Sequence, residues 1–460
     1  MILINPNPRY YIRYPQLGLL YLAGVLEKEN QRVFVIDVFY SYYKSYLQYV
    51  ENILKPEEPL GFYVNISNLN LVIQITKYFK NKFLNNPIIW GGPFPSTANV
   101  DQRVLESVLE YADYGFIGEG ESVITEIAKG YDLDNIAGIY YKKDGKYKIN
   151  SSAPSIADLD TIPFPAWHLV NFNSYIAPTR LPFANMITSR GCPRRCIYCT
   201  HTVFGYKLRL RSPINVVNEI EYLFKKFGIK DIHFWDDLFT AYPERVKEIC
   251  RLIIKEKLHK HIRFALPNGI PADTDDEEMF DLMKRAGFNY ITVAIESGVQ
   301  DIVYKLGKNL DLRKVNSTVQ KIRKRGIIVG LYFMLGLPFD DEESLKKTIE
   351  FAKSIKAEHA FFWLTLPFPG TKLFDIVEKE CRFLSNPYMG YPTYEEGKPV
   401  FENKSLKVKT IKYYYKKAYR EFYFRPLQFI RTLKSIKRTS LMLIYLIRSA
   451  FLILCRGRRL

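Results

Sequence analysis

Ser189-Arg190-Gly191-Cys192-Pro193-Arg194-Arg195-Cys196-Ile197-Tyr198-Cys199 follows directly on an apolar run, residues 185–189, that reads as a buried strand. Three cysteines at spacings of four and three can close on one metal centre from a single loop. They are one ligand short of the four that a closed iron–sulfur cluster or a structural zinc requires. A cubane held by Cys192, Cys196 and Cys199 leaves one iron open to a small chelating ligand. Zinc completed by His201 is the alternative reading of the same residues.

The strand before this loop opens a series. Apolar runs at 231–235, 263–266, 290–295, 328–335 and 361–366 alternate with helix-spaced segments at 213–227, 243–256, 275–285, 312–325 and 342–356. Ser212 before Pro213 and Asp340-Asp341 before Glu342 are helix-start signals. Eight such strands would close a full barrel, so six predict a partial one over residues 183–395. Upstream, short apolar runs at 2–4, 33–36, 60–64, 88–90 and 115–117 are separated by helical patterns at 17–28, 41–54, 69–83 and 102–111. Five βα units in series predict a doubly wound, Rossmann-like sheet over residues 1–150, closed by an Asp144-Gly145 hairpin within 140–150. The proline-rich residues 151–182 read as an ordered linker anchored by Trp167, and 396–460 as a basic, helical C-terminal region. The fold class is α/β throughout the first two units.

Composition bounds the function. The 460 residues are 47% apolar and 25% charged, which excludes a disordered or collagen-like chain. The formal charge of +18 is unevenly spread: residues 404–460 hold 16 Lys and Arg against the single acid Glu421, leaving only +3 for the other 403 residues. A nearly neutral body with a basic tail is not a nucleic-acid coat, and no nucleic-acid module is evident. Six cysteines, three of them within eight positions, predict a reducing, cytoplasmic setting with one thiolate cluster rather than a disulfide framework. The opening MILINPNPRYY lacks the pattern of a signal peptide. Residues 441–455 are apolar apart from Arg448 and too short as a helix for the ~30 Å hydrocarbon core. On a helical wheel Arg431, Lys434 and Arg438 oppose Phe429, Leu433 and Ile436. Two readings stay open for this tail: an interfacial helix on anionic lipid at the inner face of the membrane, and a helix capping the barrel.

Other candidate residues stand where strands end. Asp236 and Asp237 follow the second barrel strand, Glu296 and Ser297 the fourth, Gly336 the fifth, and Pro367 lies in the Leu366-Pro-Phe-Pro-Gly370 stretch after the sixth. In the first unit, Gly91-Gly92-Pro93 and Gly118-Glu119-Gly120-Glu121 each follow a strand and precede a helix. Glycines there let backbone N–H groups approach a ligand at the sheet's C-terminal edge.

With these residues in view, the chain resembles the radical S-adenosylmethionine (SAM) superfamily. Its CxxxCxxC signature, with an aromatic before the last cysteine, is matched by Cys192, Cys196, Tyr198 and Cys199. The resemblance implies a [4Fe–4S] cluster whose open iron binds SAM, and reductive cleavage of SAM to a 5′-deoxyadenosyl radical that attacks an unactivated carbon. It also implies that Tyr198, Asp236, Asp237, Glu296, Ser297, Gly336 and Pro367 lie around SAM. The glycine loops, together with Pro15, Leu17, Gly18, Tyr21 and Ala23, look like the subfamily with an N-terminal cobalamin-binding domain. By that resemblance Gly91, Gly92, Pro93, Gly118, Glu119, Gly120 and Glu121 would contact cobalamin. Residues 1–167 contain no histidine, so the DxHxxG motif that ligates cobalt in many such domains is absent. The expected activity is C-methylation of a small molecule, or of a lipid or isoprenoid-like substrate, with a reductant such as flavodoxin or ferredoxin. Ring formation or rearrangement without methyl transfer is the alternative within the superfamily. From another class, a non-catalytic zinc-binding protein remains open.

Overall fold

The computed structural model describes residues 1–7, 14–39, 43–175, 181–392 and 397–436. The first unit is built on strands β1 (Ile2–Asn7), β2 (Phe34–Phe39), β3 (Leu60–Tyr63), β4 (Ile88–Gly91) and β5 (Tyr114–Phe116). Helices α1 (Leu17–Lys28), α2 (Tyr43–Ile53), α3 (Leu69–Lys82), α4 (Gln102–Tyr111) and α5 (Glu121–Ala128) alternate with them. The order is β2-β1-β3-β4-β5, all parallel, so the strand sequence reverses at β1 and ligands belong at the C-terminal edge beside that point. An antiparallel hairpin, β6 (Ile139–Lys143) and β7 (Lys146–Ile149), extends the sheet beyond β5. Its turn needs two left-handed residues, which Asp144 (φ 49°) and Gly145 (φ 75°) supply.

The segment after the hairpin lies against α1. A Cβ on Gly24 would sit 2.7 Å from the Phe164 carbonyl oxygen, so only glycine permits this approach. Trp167 is fully buried, and its indole N–H donates to Glu219 at 2.8 Å. This is the anchor that the sequence suggested.

The second sheet has the order β15 (His359–Leu364), β14 (Ile328–Leu335), β13 (Phe288–Glu296), β12 (Arg263–Pro271), β11 (Asp231–Phe234) and β8 (Phe183–Met186). All five pairings are parallel, which gives the open, six-stranded partial barrel. Its helices are α6 (Pro213–Phe227), α7 (Pro243–Lys255), α8 (Glu277–Arg285), α9 (Gln300–Lys305), α10 (Leu312–Lys324), α11 (Glu342–Ser354) and α12 (Lys372–Glu380). The caps read from sequence form: Ser212 accepts from the Asn215 N–H, and Asp341 closes a capping box with Ser344. The first barrel strand ends earlier than expected. Ser189–Arg190 leaves the barrel as β9 and pairs antiparallel with β10 (Arg209–Leu210), making a small clasp under the cysteine loop.

Helix α13 (Val408–Tyr423) covers the open edge at β15. The Tyr419 hydroxyl takes the Phe362 N–H at 3.2 Å and donates to the Phe362 carbonyl at 3.0 Å. Tyr423 does the same for Ala360 at 3.1 and 2.9 Å. Two phenols thereby occupy the unpaired backbone groups that an edge strand would otherwise expose. A last helix, α14 (Pro426–Ile436), follows. It corrects the wheel reading of the tail: the side it buries is neither the basic nor the apolar one but Gln428, Thr432 and Ser435. Arg438, Arg448 and the apolar run 441–455 lie outside the described residues. Among the described residues no helix is long and apolar enough to cross a membrane.

Candidate active site between the two units

The cysteine loop leaves β9 through Gly191, whose φ of 87° and close approach to the Lys207 carbonyl admit no side chain. Backbone contacts hold it from beneath. The Ile197 N–H donates to the Leu306 carbonyl at 3.0 Å, and the Leu373 N–H donates to the Ile197 carbonyl at 2.9 Å. Gly307 (φ 74°) passes so close that a Cβ would lie 2.6 Å from the Arg195 carbonyl oxygen. Cys192 and Cys196 are half-buried, and Cys199 is exposed. The Cys199 residue as a whole is exposed, but its sulfur sits among protein groups. Burial pushes its thiol far up, and Cys196, Asp237, Glu296 and Cys192 push in the same direction. A positively charged metal core reverses the sign, because a coordinated thiol is deprotonated outright.

The zinc reading fares worse. A tetrahedral zinc with ~2.3 Å bonds to sulfur needs donors within about 4 Å of each other. Among the described residues no three His, Cys, Asp or Glu side chains close on a single ion. His201 instead stacks on Tyr206, ring centroids 4.2 Å apart, and presents a buried Nε2 without a partner to a neighbouring cavity. Three thiols on one loop, one short of a closed four-ligand site, suit a cluster with one iron left open.

The carboxylates at the strand ends divide into distinct roles. Asp237 faces the cavity, and burial beside Asp236 pushes it up to about 6. Asp236 does not line the cavity that Asp237 faces. It is buried and accepts from the Thr188 N–H at 3.1 Å, the Thr188 hydroxyl at 2.7 Å and the Ser189 hydroxyl at 2.5 Å, bracing the chain that leads into the cysteine loop. Glu296 stands where β13 is irregular against β14, at φ 73°, a conformation that non-glycine residues adopt at a cost. Its Oε1 receives the Tyr198 hydroxyl at 2.9 Å and the Lys308 ammonium at 2.8 Å. Tyr198 thus ties the cysteine loop to the barrel through Glu296. Ser297 is buried in the next turn, 3.3 Å from the Thr348 hydroxyl, and does not reach the site. Gly336 (φ 74°) shapes the turn after β14, and Asp340 fixes that turn by accepting from the Leu337 N–H at 2.9 Å. Pro367 is buried. Its neighbours Phe368 and Pro369 instead line a small, mainly apolar cavity of about 300 Å³ with Thr200, Pro93 and Phe94.

The larger cavity, about 400 Å³, separates the two units. One wall is Gly18, Gly91, Gly92, Pro93, Gly118 and Gly120, at or beside the C-terminal edge of the first sheet. A Cβ on Gly18 would meet nothing within 4 Å, and one on Gly118 only the Val203 carbonyl at 3.7 Å, so these backbones face open space. The opposite wall is Asn185, Thr200, His201, Trp235 and Asp237. Asn185 Oδ1, His201 Nε2 and the Trp235 indole nitrogen are buried there without partners. A bare-backbone floor facing orphaned polar groups fits a broad ligand carrying amides. Glu119 and Glu121 also line the cavity, and both are held in ion pairs. Arg190 donates to Glu119 at 2.9 Å and to Glu121 at 2.5 Å, and Arg209 also pairs with Glu119. All four side chains are nearly inaccessible, so this network joins the glycine loop to the β9–β10 clasp and fixes the two walls of the cavity. Sequence reading missed Arg190, Arg209 and Lys308, because nothing local in the chain marks a cation whose partner lies 12 to 90 residues away.

A parallel six-stranded partial barrel with a three-thiolate loop at its mouth, joined to a doubly wound sheet, defines an iron–sulfur class of protein. The model of the radical SAM superfamily matches residues 186–352. Uncharacterized methyltransferase PH0819 of Pyrococcus horikoshii is 30% identical over 420 residues, covering 90% of this chain and 88% of that protein. Cytidylyl-2-hydroxyethylphosphonate methyltransferase of Streptomyces wedmorensis is 30% identical over 450 residues, covering 83% and 81%. The solved structure of the radical SAM methyltransferase TsrM from Kitasatospora setae, with cobalamin and a [4Fe–4S] cluster bound, superposes with a TM-score of 0.72 at 18% identity, covering 94% of this chain and 90% of that one. That last likeness is one of fold. The chain belongs to the radical SAM superfamily. A [4Fe–4S] cluster and SAM are the cofactors of that superfamily, and the donor set at Cys192, Cys196 and Cys199 suits the cluster.

Proposed function

We propose that this chain is a cobalamin-dependent radical SAM enzyme that methylates an unactivated carbon of a small molecule. The observation that carries the reading is the cavity walled on one side by the glycine loops of the first sheet and on the other by Thr200 and His201, directly after Cys199. A ligand seated on those loops lies next to the cysteine loop. When bound, the cluster supplies the electron that cleaves SAM, and cobalamin supplies a methyl carrier. The chain's own residues bind and orient. Cys192, Cys196 and Cys199 would hold the cluster, and Tyr198, Glu296 and Lys308 set the loop's height against the barrel. Among the described residues Glu296 Oε2 accepts no hydrogen bond, so it is available to SAM beside Asp237. Gly91, Gly92, Pro93, Gly118 and Gly120 would take the corrin edge. With no histidine in residues 1–167, that unit offers the cobalt no imidazole.

Two finer readings accompany this one: electrons arrive from a flavodoxin- or ferredoxin-like donor, and the basic C-terminal region holds the chain peripherally to an anionic membrane. A lipid or isoprenoid-like substrate was suggested by that region alone. The test is anaerobic titration of the purified full chain with hydroxocobalamin, followed by paramagnetic resonance of the cob(II)alamin form. Stoichiometric binding with no nitrogen splitting from a lower ligand is expected. Absence of binding would reduce the first unit to a substrate-binding domain, and a nitrogen splitting that persists with cobinamide, which lacks the nucleotide base, would refute the histidine-free mode.

A further inference from the structure

Helix α14 is turned inside out relative to a soluble surface helix. Its uncharged polar side chains point into the protein. Gln428 donates to the carbonyls of Ala357 (3.1 Å) and Glu358 (2.9 Å), Thr432 donates to Glu358 (3.1 Å), and the Ser435 hydroxyl meets His359 Nε2 at 3.0 Å. These bonds occupy groups in the turn that leads into β15, so the helix's orientation is fixed by hydrogen bonds rather than by an apolar stripe. The consequence is an outer face of Leu427 (77% exposed), Phe429 (52%), Ile430 (49%) and Leu433 (41%), adjoined by exposed Phe424. At 100° per residue Ile430 stands opposite the centre of the buried polar side, with Leu433 and Lys434 flanking it. Four large apolar side chains on one short exposed face are a patch, not scattered surface residues.

The neighbouring helix supplies charge. Lys412, Lys416 and Arg420 are exposed and follow one i, i+4 row on α13, and the next member of that row is Phe424. Between residues 404 and 436 there are ten Lys and Arg against one acid, Glu421, which is committed to Lys353 at 3.0 Å and Lys417 at 3.6 Å. A cationic row running into an apolar face matches the headgroup–acyl boundary of an anionic bilayer. It suits a second copy of the chain poorly, because self-pairing would oppose like charges. It suits nucleic acid poorly, because four exposed aliphatic and aromatic side chains gain nothing from phosphate.

The placement within the barrel gives the attachment a direction. Helix α13 starts at the mouth, where Ile411 packs beside Gly336 and Asn403 donates to the Leu337, Pro338 and Asp340 carbonyls. It then runs down β15 to Ala360, and α14 sits at Ala357–His359. The patch is therefore at the N-terminal ends of the strands, roughly 20 Å along β15 from the ends that carry the candidate site.

We infer that the outer face of α14 and the cationic row of α13 form a docking surface for an anionic lipid bilayer, which holds the barrel by its base and turns the active-site mouth away from the membrane. This rests on the peripheral-attachment reading above and gives that attachment a surface. It also makes the bilayer a tether rather than the source of substrate, which reaches the mouth from the aqueous side.

The experiment is sedimentation of the full chain with vesicles of phosphatidylglycerol and phosphatidylcholine, and with phosphatidylcholine alone, at low and high salt. The wild-type chain is expected to pellet with the anionic vesicles only. The double variant Ile430→Ser/Leu433→Ser should partition at least tenfold less at both salt concentrations. Lys412→Glu/Lys416→Glu should lose the preference for anionic lipid. Neither variant touches the cysteine loop, so SAM cleavage in solution should be unchanged, which also reports that they fold. If the serine variant binds as the wild type does while a chain ending at Ile436 does not bind, attachment runs through residues 437–460 and this surface is wrong. If the wild-type chain ignores all vesicles, the attachment reading falls with it. A wild-type dimer that the serine variant splits without lipid would assign the face to a second copy and overturn the proposal.

Discussion

Asp340 shows what single residues do in this protein. Its carboxylate is buried in the turn after β14, accepting from the Leu337 N–H and, at 2.7 Å, from the Ser344 hydroxyl. Burial outweighs these bonds and pushes it up to about 6, against an ordinary unfolded value near 3.9. A carboxyl raised on folding stabilises while protonated. Its contribution is complete below about pH 4 and is lost as the pH rises through about 6. Asp340→Asn is neutral at every pH. The stability difference between variant and wild type should therefore move in the variant's favour by about 2–3 kcal/mol from pH 4 to pH 8, read by urea titration of the apoprotein. A pH-independent difference would mean that the carboxylate is solvated. At this scale the sequence is informative where the chemistry is local: the three cysteines stand out by spacing and Asp237 by its place at a strand end, whereas a role for Tyr198 comes from resemblance alone. It was silent on the roles of Asp236 and Glu119, because a carboxylate's partner is decided by tertiary packing. Here the partners are Thr188, 48 residues away, and Arg190, 71 residues away.

Elements were legible in proportion to their amphipathic length. The expected helices 17–28, 102–111 and 213–227 form with those bounds, whereas α5, α9 and α12, of six to nine residues, are too short to carry a clear period and were not anticipated. The β9–β10 clasp was hidden for another reason: two-residue strands have no pattern, and Ser189 read as the end of an apolar run with Arg190 in the loop beyond it. Yet this clasp carries the buried network of Arg190 and Arg209 with Glu119 and Glu121, which connects one unit to the other. Removing the acids leaves two buried guanidinium groups uncompensated. Glu119→Gln/Glu121→Gln should cost about 3–5 kcal/mol in chemical denaturation and weaken cobalamin binding, since the glycine loop loses its registration with the far wall. Normal stability together with normal cobalamin affinity in that variant would make the network dispensable.

For the whole molecule, the architecture of a doubly wound sheet followed by a partial barrel was readable because each βα unit repeats the same local signal. The cavity between them was not, because its walls come from segments far apart in the chain, such as Gly18 and Trp235, that only the folded chain opposes. The inverted face of α14 was similarly invisible, since a helical wheel ranks hydrophobicity and cannot foresee that strand-end carbonyls will claim the polar side. All of the chemistry starts at the cysteine loop, which would hold a cluster with one iron open to SAM. The direct measurement is paramagnetic resonance of the anaerobically reconstituted, dithionite-reduced full chain, with and without SAM, beside the Cys196→Ala protein. The wild-type chain should give a [4Fe–4S]⁺ signal that SAM shifts, and Cys196→Ala should give neither that signal nor 5′-deoxyadenosine. A wild-type signal indifferent to SAM, or an intact cluster in Cys196→Ala, would contradict the assignment.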